Sequence, residues 1–462
     1  MRTFCLLITL FICQISFSQD LKKKIDDALN KLAVDEQFKH SVLSFYVVEG
    51  KTGKVLYDKN SEVGLAPASC QKIVTSVTAF EILGKDYRYQ TSVKIYPGSD
   101  SINLFIAASG DPTIGSWRWG KTKMDSVYSQ ILNSLKNKKL TAIACDIAVL
   151  KNDFTYQPIP DGWVWQDIGN YYGAGTWAFN WHENQYSISL SSDDKEGTLT
   201  EIKSFDPASA NMFIQNFITA GKKGSGDNAY IYSAPYTDAS FATGTITPGQ
   251  NQFTISGSMP DPTSVFIKGL KSYLNGNGIN VNEGHNLAFA LSSRNPSVYE
   301  NIGLIYSPSL DSINYWFLKK SINLYGEAFV KTIALEKTKI GSTDSGVNVI
   351  RNFWADKGIE KSSLKIIDGS GLSPANRLTT SSLVSVLQYA GKRPWFSSFY
   401  NALPEMNGIK MKDGYIGGVR SYTGYVTSAS GVAYSFAFIV NNFDGNPATV
   451  REKMWRVLDL LK

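Results

Sequence analysis

Histidine is scarce in this 462-residue sequence, and no metal-binding pattern is present. The three histidines, His40, His182 and His285, lie far apart, and none has a second His or a Cys at ligand spacing. A zinc hydrolase is therefore disfavoured. A Ser-His-Asp enzyme is disfavoured less strongly, because it needs only one histidine. We expect a protein that works without a cofactor.

Cysteine is also rare, and so are long runs of charged or apolar residues. Of four cysteines, two lie in the first 13 residues, so a processed chain would keep Cys70 and Cys145. These two could form one disulfide or remain two buried thiols. The 46 basic and 40 acidic residues are interspersed, which disfavours a nucleic-acid partner. No later segment reaches the length of a transmembrane helix.

The N-terminus has the pattern of a secretory signal. A short apolar run at residues 4–13 follows Arg2, and Ser16-Phe17-Ser18 offers small residues at the two positions that a signal peptidase reads. We expect residues 1–18 to be a signal peptide and the protein to be exported to the periplasm or cell envelope. The alternative is a buried N-terminal segment.

The rest of the chain reads as a globular protein with mixed structure. Hydrophobic residues make up 43% and charged residues 19%, which excludes a disordered or fibrous chain. The length suggests two to three domain-sized units. The middle carries short strand-like segments, such as Tyr186 to Leu190 and Ser264 to Ile267, between turn clusters. We interpret this middle as an α+β insertion.

The two ends of the chain predict one antiparallel sheet flanked by helices. The spacing of apolar and turn residues predicts these elements, in chain order: a helix at 20–34, strands at 41–48 and 54–57, a helix after Ser69, helices at 311–336, 345–357 and 379–392, strands at 408–413, 418–427 and 432–441, and a helix at 447–461. A front hairpin and three later strands would then form a single sheet, with the middle of the chain inserted between its halves.

Ser69 and Lys72 are the first candidate catalytic pair. They are spaced i, i+3 at a predicted helix start, so one helical turn puts both side chains on the same face. A serine hydroxyl is a weak nucleophile until a base takes its proton, and a neutral lysine can do so. Ser-x-x-Lys is common by chance, and a capping serine beside a solvated lysine is the ordinary explanation.

Two later segments make the functional interpretation stronger. Ser321-Ile322-Asn323 lies within a predicted helical region, and Lys412-Asp413-Gly414 lies on a predicted strand. Ser-x-x-Lys, Ser-x-Asn and a Lys-x-Gly strand, in that order, are typical of penicillin-binding proteins and serine β-lactamases.

Longer matches point to one branch of these proteins. The chain resembles the D-alanyl-D-alanine carboxypeptidase/endopeptidase family, the class C low-molecular-mass penicillin-binding proteins. The matching segments include Pro67 to Lys72, Ser109 to Thr113, Trp163 to Asp167, Lys320 to Tyr325, Asp368 to Ser373 and Thr423 to Val426. The resemblance implies an α+β fold like that of penicillin-binding proteins and serine β-lactamases. Its catalytic domain would be split between 19–91 and 291–462, with 92–290 inserted.

The resemblance also implies an acyl-serine mechanism on peptidoglycan stem peptides and cross-links, inhibited by β-lactams. Ser69 would be the nucleophile, Lys72 its base, and Ser321 a proton relay to the leaving amine. The substrate-binding residues would be Asn323, Lys412, Asp413, Gly414 and Tyr415. The backbone N–H groups of Ser69 and Tyr415 would form the oxyanion hole.

Asp413 departs from the family pattern, which has Thr or Ser between the Lys and the Gly. A hydroxyl there can donate to a substrate carboxylate, whereas an ionised Asp413 cannot donate and would repel that anion. Three interpretations are open. Asp413 is protonated or paired with Lys412; or the substrate terminus differs, which would fit endopeptidase work; or activity is reduced.

Two other functions remain as alternatives. Asp413 is compatible with a non-hydrolytic relative that binds cell-wall peptides, although intact Ser69, Lys72, Ser321 and Asn323 oppose that function. A β-lactamase is a weaker alternative, because the large insertion is unlike those compact enzymes. Cys70 lies beside the candidate nucleophile, and we expect it to be a buried packing residue.

Overall fold

The structure, a computed structural model, describes residues 19–97, 102–143, 147–150, 153–210, 212–282 and 299–462. These residues form two compact units. Unit 1 holds 19–82, 314–321 and 350–462, and unit 2 holds the remaining described residues. The expected signal peptide, Cys145 and His285 lie outside the described residues. The domain boundaries expected from the sequence stay a prediction.

Unit 1 is built on a six-stranded antiparallel sheet. Its strands, in spatial order, are Glu405–Met406, Ile409–Ile416, Val419–Thr427, Ala433–Asn441, Val42–Glu49 and Val55–Lys59. The front hairpin therefore joins the three strands near the end of the chain, which confirms the predicted single sheet. We call Ile409–Ile416 the Lys412 strand.

Helices cover both faces of this sheet. The helix at residues 19–33 and the helix Pro447–Leu458 contribute Leu29 and Met454 to an apolar core on one face. Helix Thr380–Ala390 packs on the other face, where Tyr425 Oη donates to the Leu387 carbonyl at 2.8 Å. The helix predicted at 447–461 thus packs its apolar face into this core.

Unit 2 contains mixed sheets and helices, which agrees with the predicted α+β insertion. One sheet orders its strands Glu300–Tyr306, Gln90–Pro97, Ile102–Ala107 and Ile147–Leu150. Two three-stranded sheets are formed by Tyr230–Tyr232, Ser240–Ile246 and Ile214–Ala220, and by Phe253–Ser258, Gln185–Ser191 and Glu201–Asp206. A two-stranded sheet pairs Asn280–Val281 with Ala142–Ile143.

Further helices follow the chain at these bounds: Lys72–Ile82, Met124–Asn137, Trp165–Ile168, Pro262–Gly276, Leu310–Lys319, Asn323–Thr338, Thr343–Ala355 and Phe396–Ala402. The helices predicted at 345–357 and 379–392 are confirmed within two residues. Within the ranges that the structure describes, none of the helices combines the length and the apolar character needed to cross a bilayer.

Two local predictions are wrong. Ser264 to Ile267 is not a strand but lies in helix Pro262–Gly276. Asp261 caps that helix by accepting from the backbone N–H groups of Thr263 and Ser264, and Pro262 takes its first turn. A four-residue apolar run does not separate a strand from a buried helix segment.

Ser321 is also misplaced by the sequence prediction, because it does not lie within a helix. It follows helix Leu310–Lys319 and precedes helix Asn323–Thr338, with a left-handed φ of 57°. A left-handed residue cannot continue a right-handed helix. The helix predicted over 311–336 is therefore two helices, one on each side of Ser321.

Candidate active site

Ser69 lies in a tight turn that leads into a helix. Ala68–Gln71 form a 3-10 turn, called here the Ser69 turn, and helix Lys72–Ile82 follows directly. Ala68 is buried and has a φ of 45°, a conformation that costs a non-glycine residue on the order of 1 kcal/mol or more. Such strain persists only where surrounding contacts hold the backbone in place.

Lys72 is fully buried and contacts the Ser69 hydroxyl. Its Nζ donates to Ser69 Oγ at 2.8 Å and to the carbonyl of Ser370 at 2.7 Å. The predicted Ser-x-x-Lys pair is therefore brought within hydrogen-bond distance. Its geometry is that of a nucleophile beside a base whose position a third group fixes.

The group that fixes Lys72 belongs to residues 368–376, called here the Asp368 loop. The Asp368 carboxylate is buried and accepts from the backbone N–H groups of Gly371 at 2.8 Å and Ser373 at 2.7 Å. It also accepts from Gln71 Nε2 at 2.8 Å, which ties the loop to the Ser69 turn. Ser370 was assigned no role from the sequence, although it lies in a turn-rich cluster, Asp368 to Ser373, that matches the family.

Gly371 shows how closely the Asp368 loop packs against the Ser69 turn. It has a φ of 83°, and a Cβ at this position would lie 2.0 Å from the Ala68 carbonyl oxygen. Only glycine fits both the backbone conformation and the space. The loop therefore helps to hold the strained turn.

Gly414 brings the Lys412 strand against the backbone of the Ser69 turn. A Cβ on Gly414 would lie 2.6 Å from the Pro67 carbonyl oxygen and 2.9 Å from the Ser69 backbone nitrogen. Ser421, opposite Gly414 on the next strand, donates to the same Pro67 carbonyl at 2.6 Å. The resemblance implied a substrate-binding role for Gly414, and the structure shows that glycine is also needed there for contact with the Ser69 turn.

Tyr415 presents its backbone N–H to the outer edge of the sheet. Alternate residues of a strand direct their backbone groups to opposite sides, and the Met411 N–H donates outward to the Pro404 carbonyl at 3.0 Å. The backbone groups of residues 413 and 415 therefore point to the same side of the strand as those of Met411. Among the described residues, no strand pairs with this edge beyond residue 410. The geometry thus offers the Tyr415 N–H to a ligand.

Lys412 and Asp413 form an ion pair. Lys412 Nζ donates to Asp413 Oδ1 at 2.8 Å and to the Asp413 carbonyl at 2.7 Å; the lysine side chain is 1% exposed and the aspartate 34%. Burial would raise the pKa of the Asp413 carboxyl, but the charges of Lys412 and Arg420 outweigh it and hold that pKa below its ordinary value. Of the interpretations left open by the sequence, the structure shows the pairing of Asp413 with Lys412.

Cys70 is a buried free thiol, as expected. Its Sγ donates to the Lys412 carbonyl at 3.1 Å, so the thiol is directed into the packing between the Ser69 turn and the Lys412 strand. Burial raises the pKa of the thiol to about 11, which suppresses the reactive thiolate.

The two remaining predicted residues, Ser321 and Asn323, belong to different units of the structure. Ser321 belongs to unit 1, with Ser69, Lys72 and the Lys412 strand. Asn323 begins helix Asn323–Thr338 in unit 2, where its Nδ2 donates to the Tyr172 carbonyl at 2.7 Å.

The fold is shared with solved penicillin-binding proteins. The crystal structure of penicillin binding protein 4 (dacB) from Haemophilus influenzae matches with a TM-score of 0.79 at 18% identity, over 95% of this chain and 99% of that chain. The protein therefore has the fold of the penicillin-binding proteins, as the sequence predicted.

The family follows from the sequence comparisons. The model of the D-Ala-D-Ala carboxypeptidase 3 (S13) family matches residues 25–408, and the chain belongs to this family of peptidases. The D-alanyl-D-alanine carboxypeptidase of Actinomadura sp. (strain R39) is 24% identical over 93% of this chain and 82% of its own length. The DacB carboxypeptidase of Haemophilus influenzae is 21% identical over 94% and 91%. The predicted family is confirmed.

Proposed function

We propose that this protein is an exported serine-type D-Ala-D-Ala carboxypeptidase/endopeptidase that cleaves peptidoglycan peptides through an acyl-serine intermediate. The observation that carries the proposal is the 2.8 Å hydrogen bond from Lys72 Nζ to Ser69 Oγ. Family membership supplies the reaction class, and residues 1–18 supply the expectation of export.

The acylation step would begin at Ser69. Lys72, in its neutral form, takes the hydroxyl proton while Ser69 Oγ bonds to the carbonyl carbon between two D-alanyl residues. The oxygen of that carbonyl becomes negative and accepts from the backbone N–H groups of Ser69 and Tyr415. Donors of this kind typically contribute about 3–4 kcal/mol each to transition-state stabilisation. Two observations support this hole: the contact of Gly414 with the Ser69 backbone, and the outward N–H of Tyr415.

The leaving group then departs and water completes the reaction. The C–N bond breaks, and Ser321 relays the proton held by Lys72 to the leaving amine, so that Lys72 is neutral again. Asn323 holds the acyl-chain amide, and Lys412 supplies positive charge to the site. Water attacks the ester carbon and gives a proton to Lys72, the bond to Ser69 Oγ breaks, and Lys72 returns that proton to the serine oxygen. A cross-link between stem peptides is the same kind of amide, so endopeptidase cleavage follows the same steps.

The second candidate function is a relative that binds cell-wall peptides without cleaving them. The observation that favours it is the Lys412–Asp413 ion pair, which neutralises a positive charge expected to bind substrate. Both functions use the same edge of the sheet, so only chemistry on Ser69 separates them.

Intact-mass analysis after incubation with benzylpenicillin tests the proposal. A solved structure with the same fold, penicillin binding protein 4 from Haemophilus influenzae, has been determined with a β-lactam. We expect one adduct per chain, mapped to Ser69 by peptide analysis and absent from a folded Ser69→Ala variant. Folded protein that takes up no adduct and cleaves no stem peptide would contradict the proposal and favour the binding function.

A further inference from the structure

Asp413 lies where the leaving part of a substrate would pass. The proposed oxyanion hole uses the N–H of Tyr415, which points out from the unpaired edge of the sheet. The backbone groups of residue 413 point out from the same edge. Every neighbouring pair in this sheet is antiparallel. A peptide joining the edge antiparallel, with its reacting residue opposite Tyr415, runs toward Asp413 on the leaving-group side.

The local charge at that point differs from that of a single lysine. Lys412 Nζ is already bonded to the Asp413 carboxylate and carbonyl, so the pair sums to zero. The Arg420 guanidinium lies over the rings of Tyr415 and Tyr422, with Nε donating to the Tyr422 hydroxyl at 3.0 Å. Arg420, which lies opposite Tyr415 on the next strand, is therefore engaged with these rings, and the more exposed member of the Lys412–Asp413 pair is the anion.

The hydrogen bonds that Asp413 can make also differ from those of the Thr or Ser in the family pattern. An ionised carboxylate only accepts hydrogen bonds. A free carboxylate on the substrate also only accepts, so the two groups repel each other and neither can donate. A carboxamide, or the N–H of a continuing peptide, donates to the carboxylate instead. The partly exposed Asp413 is thus suited to a neutral donor.

We propose that Asp413 makes this enzyme selective for certain leaving groups. The preferred leaving residue, on the amine side of the cleaved bond, ends in a carboxamide or continues as a peptide, rather than ending in a free carboxylate. This specificity rests on the proposed function, because it concerns the leaving group of the same acyl-transfer reaction. Amidated stem peptides and internal amide bonds are the substrate class that this chemistry selects.

Two matched peptides test the proposal. Diacetyl-L-lysyl-D-alanyl-D-alanine and its C-terminal carboxamide differ only in the group that would face Asp413. Release of D-alanine or D-alaninamide is measured by mass spectrometry, and kcat/KM is obtained for each. We expect the carboxamide to be preferred by roughly tenfold or more, because one repulsive charge pair is replaced by a hydrogen bond. The ratio is insensitive to the fraction of active protein.

Three variants separate the role of Asp413 from a general loss of activity. Asp413→Asn keeps the shape but removes the charge, and we expect the two peptides to become nearly equal. Asp413→Thr supplies a donor, and we expect the free carboxylate to be preferred. Glu405→Gln is the control. It removes a carboxylate whose Oε2 lies 3.5 Å from Nζ of Lys410, a residue of the Lys412 strand, and the wild-type ratio should persist.

Each outcome decides between the two proposals. Equal cleavage by the wild type, or preference for the free carboxylate, would overturn the specificity. Acylation of Ser69 by benzylpenicillin without cleavage of either peptide would overturn it too, while leaving the nucleophile in place. No adduct and no cleavage from folded protein would overturn the proposed function itself.

Discussion

Lys412 and Asp413 are consecutive residues whose side chains meet, with Nζ 2.8 Å from Oδ1. Side chains of neighbouring strand residues normally point to opposite faces of a sheet. The long lysine side chain reaches the open edge of the sheet, where both polar groups converge. The positive charge of the Lys-x-Gly segment is therefore neutralised by its own neighbour.

Asp413→Thr is expected to accelerate acylation by benzylpenicillin. The drug carries a free carboxylate, which an ionised Asp413 repels and a hydroxyl can bind. We expect the second-order rate constant of acylation to rise by about tenfold. The measurement is time-resolved intact mass. A slower reaction in folded Asp413→Thr would contradict the expectation.

Gly414→Ala is expected to slow acylation strongly while leaving most of the fold intact. The new methyl group would meet the Pro67 carbonyl and the Ser69 nitrogen, which separates the strand from the turn and misplaces the oxyanion donors. We expect acylation to slow by roughly 100-fold and the free energy of unfolding to fall by about 1–3 kcal/mol.

Gly417→Ala is the control, because nothing lies within 4 Å of a Cβ at that position. It should acylate like the wild type. Normal acylation of Gly414→Ala would show that the close contact is not required.

Asp368→Asn is expected to destabilise the Asp368 loop and slow acylation. The carboxylate accepts from several buried donors, and an amide would turn one N–H toward another. The loss should be about 1–3 kcal/mol in the free energy of unfolding, measured by denaturant titration. Acylation by benzylpenicillin should slow in parallel, because the Ser370 carbonyl positions Lys72. Asp444→Asn, at an exposed turn, should change neither quantity.

Asp111 is expected to make the stability of unit 2 depend on pH. Its Oδ1 accepts from the Thr113 backbone and hydroxyl, but among the described residues no group donates to the buried Oδ2. Burial raises the pKa of this carboxyl to about 6 from an ordinary value of 3.8. Because the folded state holds the proton more tightly, stability is greatest below about pH 4 and is lost as the pH rises through 6.

The test compares Asp111→Asn with the wild type at pH 4 and pH 7. An Asn side chain does not titrate, so the wild type should lose about 2 kcal/mol of unfolding free energy relative to the variant over this interval. Asp161→Asn removes an exposed carboxylate and should show no such divergence. Parallel curves for wild type and Asp111→Asn would mean that Asp111 is not held in the protonated form.

Local patterns were sufficient for much of unit 1. The front hairpin and the three later strands alternate or cluster their apolar residues, and the structure pairs all of them in one sheet. The i, i+3 spacing of Ser69 and Lys72 also predicted their contact, which the structure shows. By contrast, Ser264 to Ile267 has the composition of a strand, and only the Asp261 cap and the apolar spacing over four turns identify a helix.

Features that depend on distant contacts were out of reach. Ser370 approaches Lys72 across 298 positions of sequence, and nothing near Ser370 indicates that contact. The left-handed φ of Ser321 occurs in the short break between two consecutive helices, and the helical spacing of both flanking segments gives no sign of that break. The pairing of Lys412 with Asp413 was part of one of three open interpretations, and showing it required the position of the lysine amine.

The interior position of strand Val42–Glu49 in the six-stranded sheet has a consequence for biosynthesis. This strand pairs with Ala433–Asn441 along its whole length, and the Pro67 carbonyl is bound by Ser421, 354 residues later. Closing contacts over such separations costs chain entropy that is recovered only when both partners are present. The segment that carries Ser69 leaves the ribosome early but acquires its shape after the last strands are made. The nucleophile is therefore one of the final parts of the protein to mature.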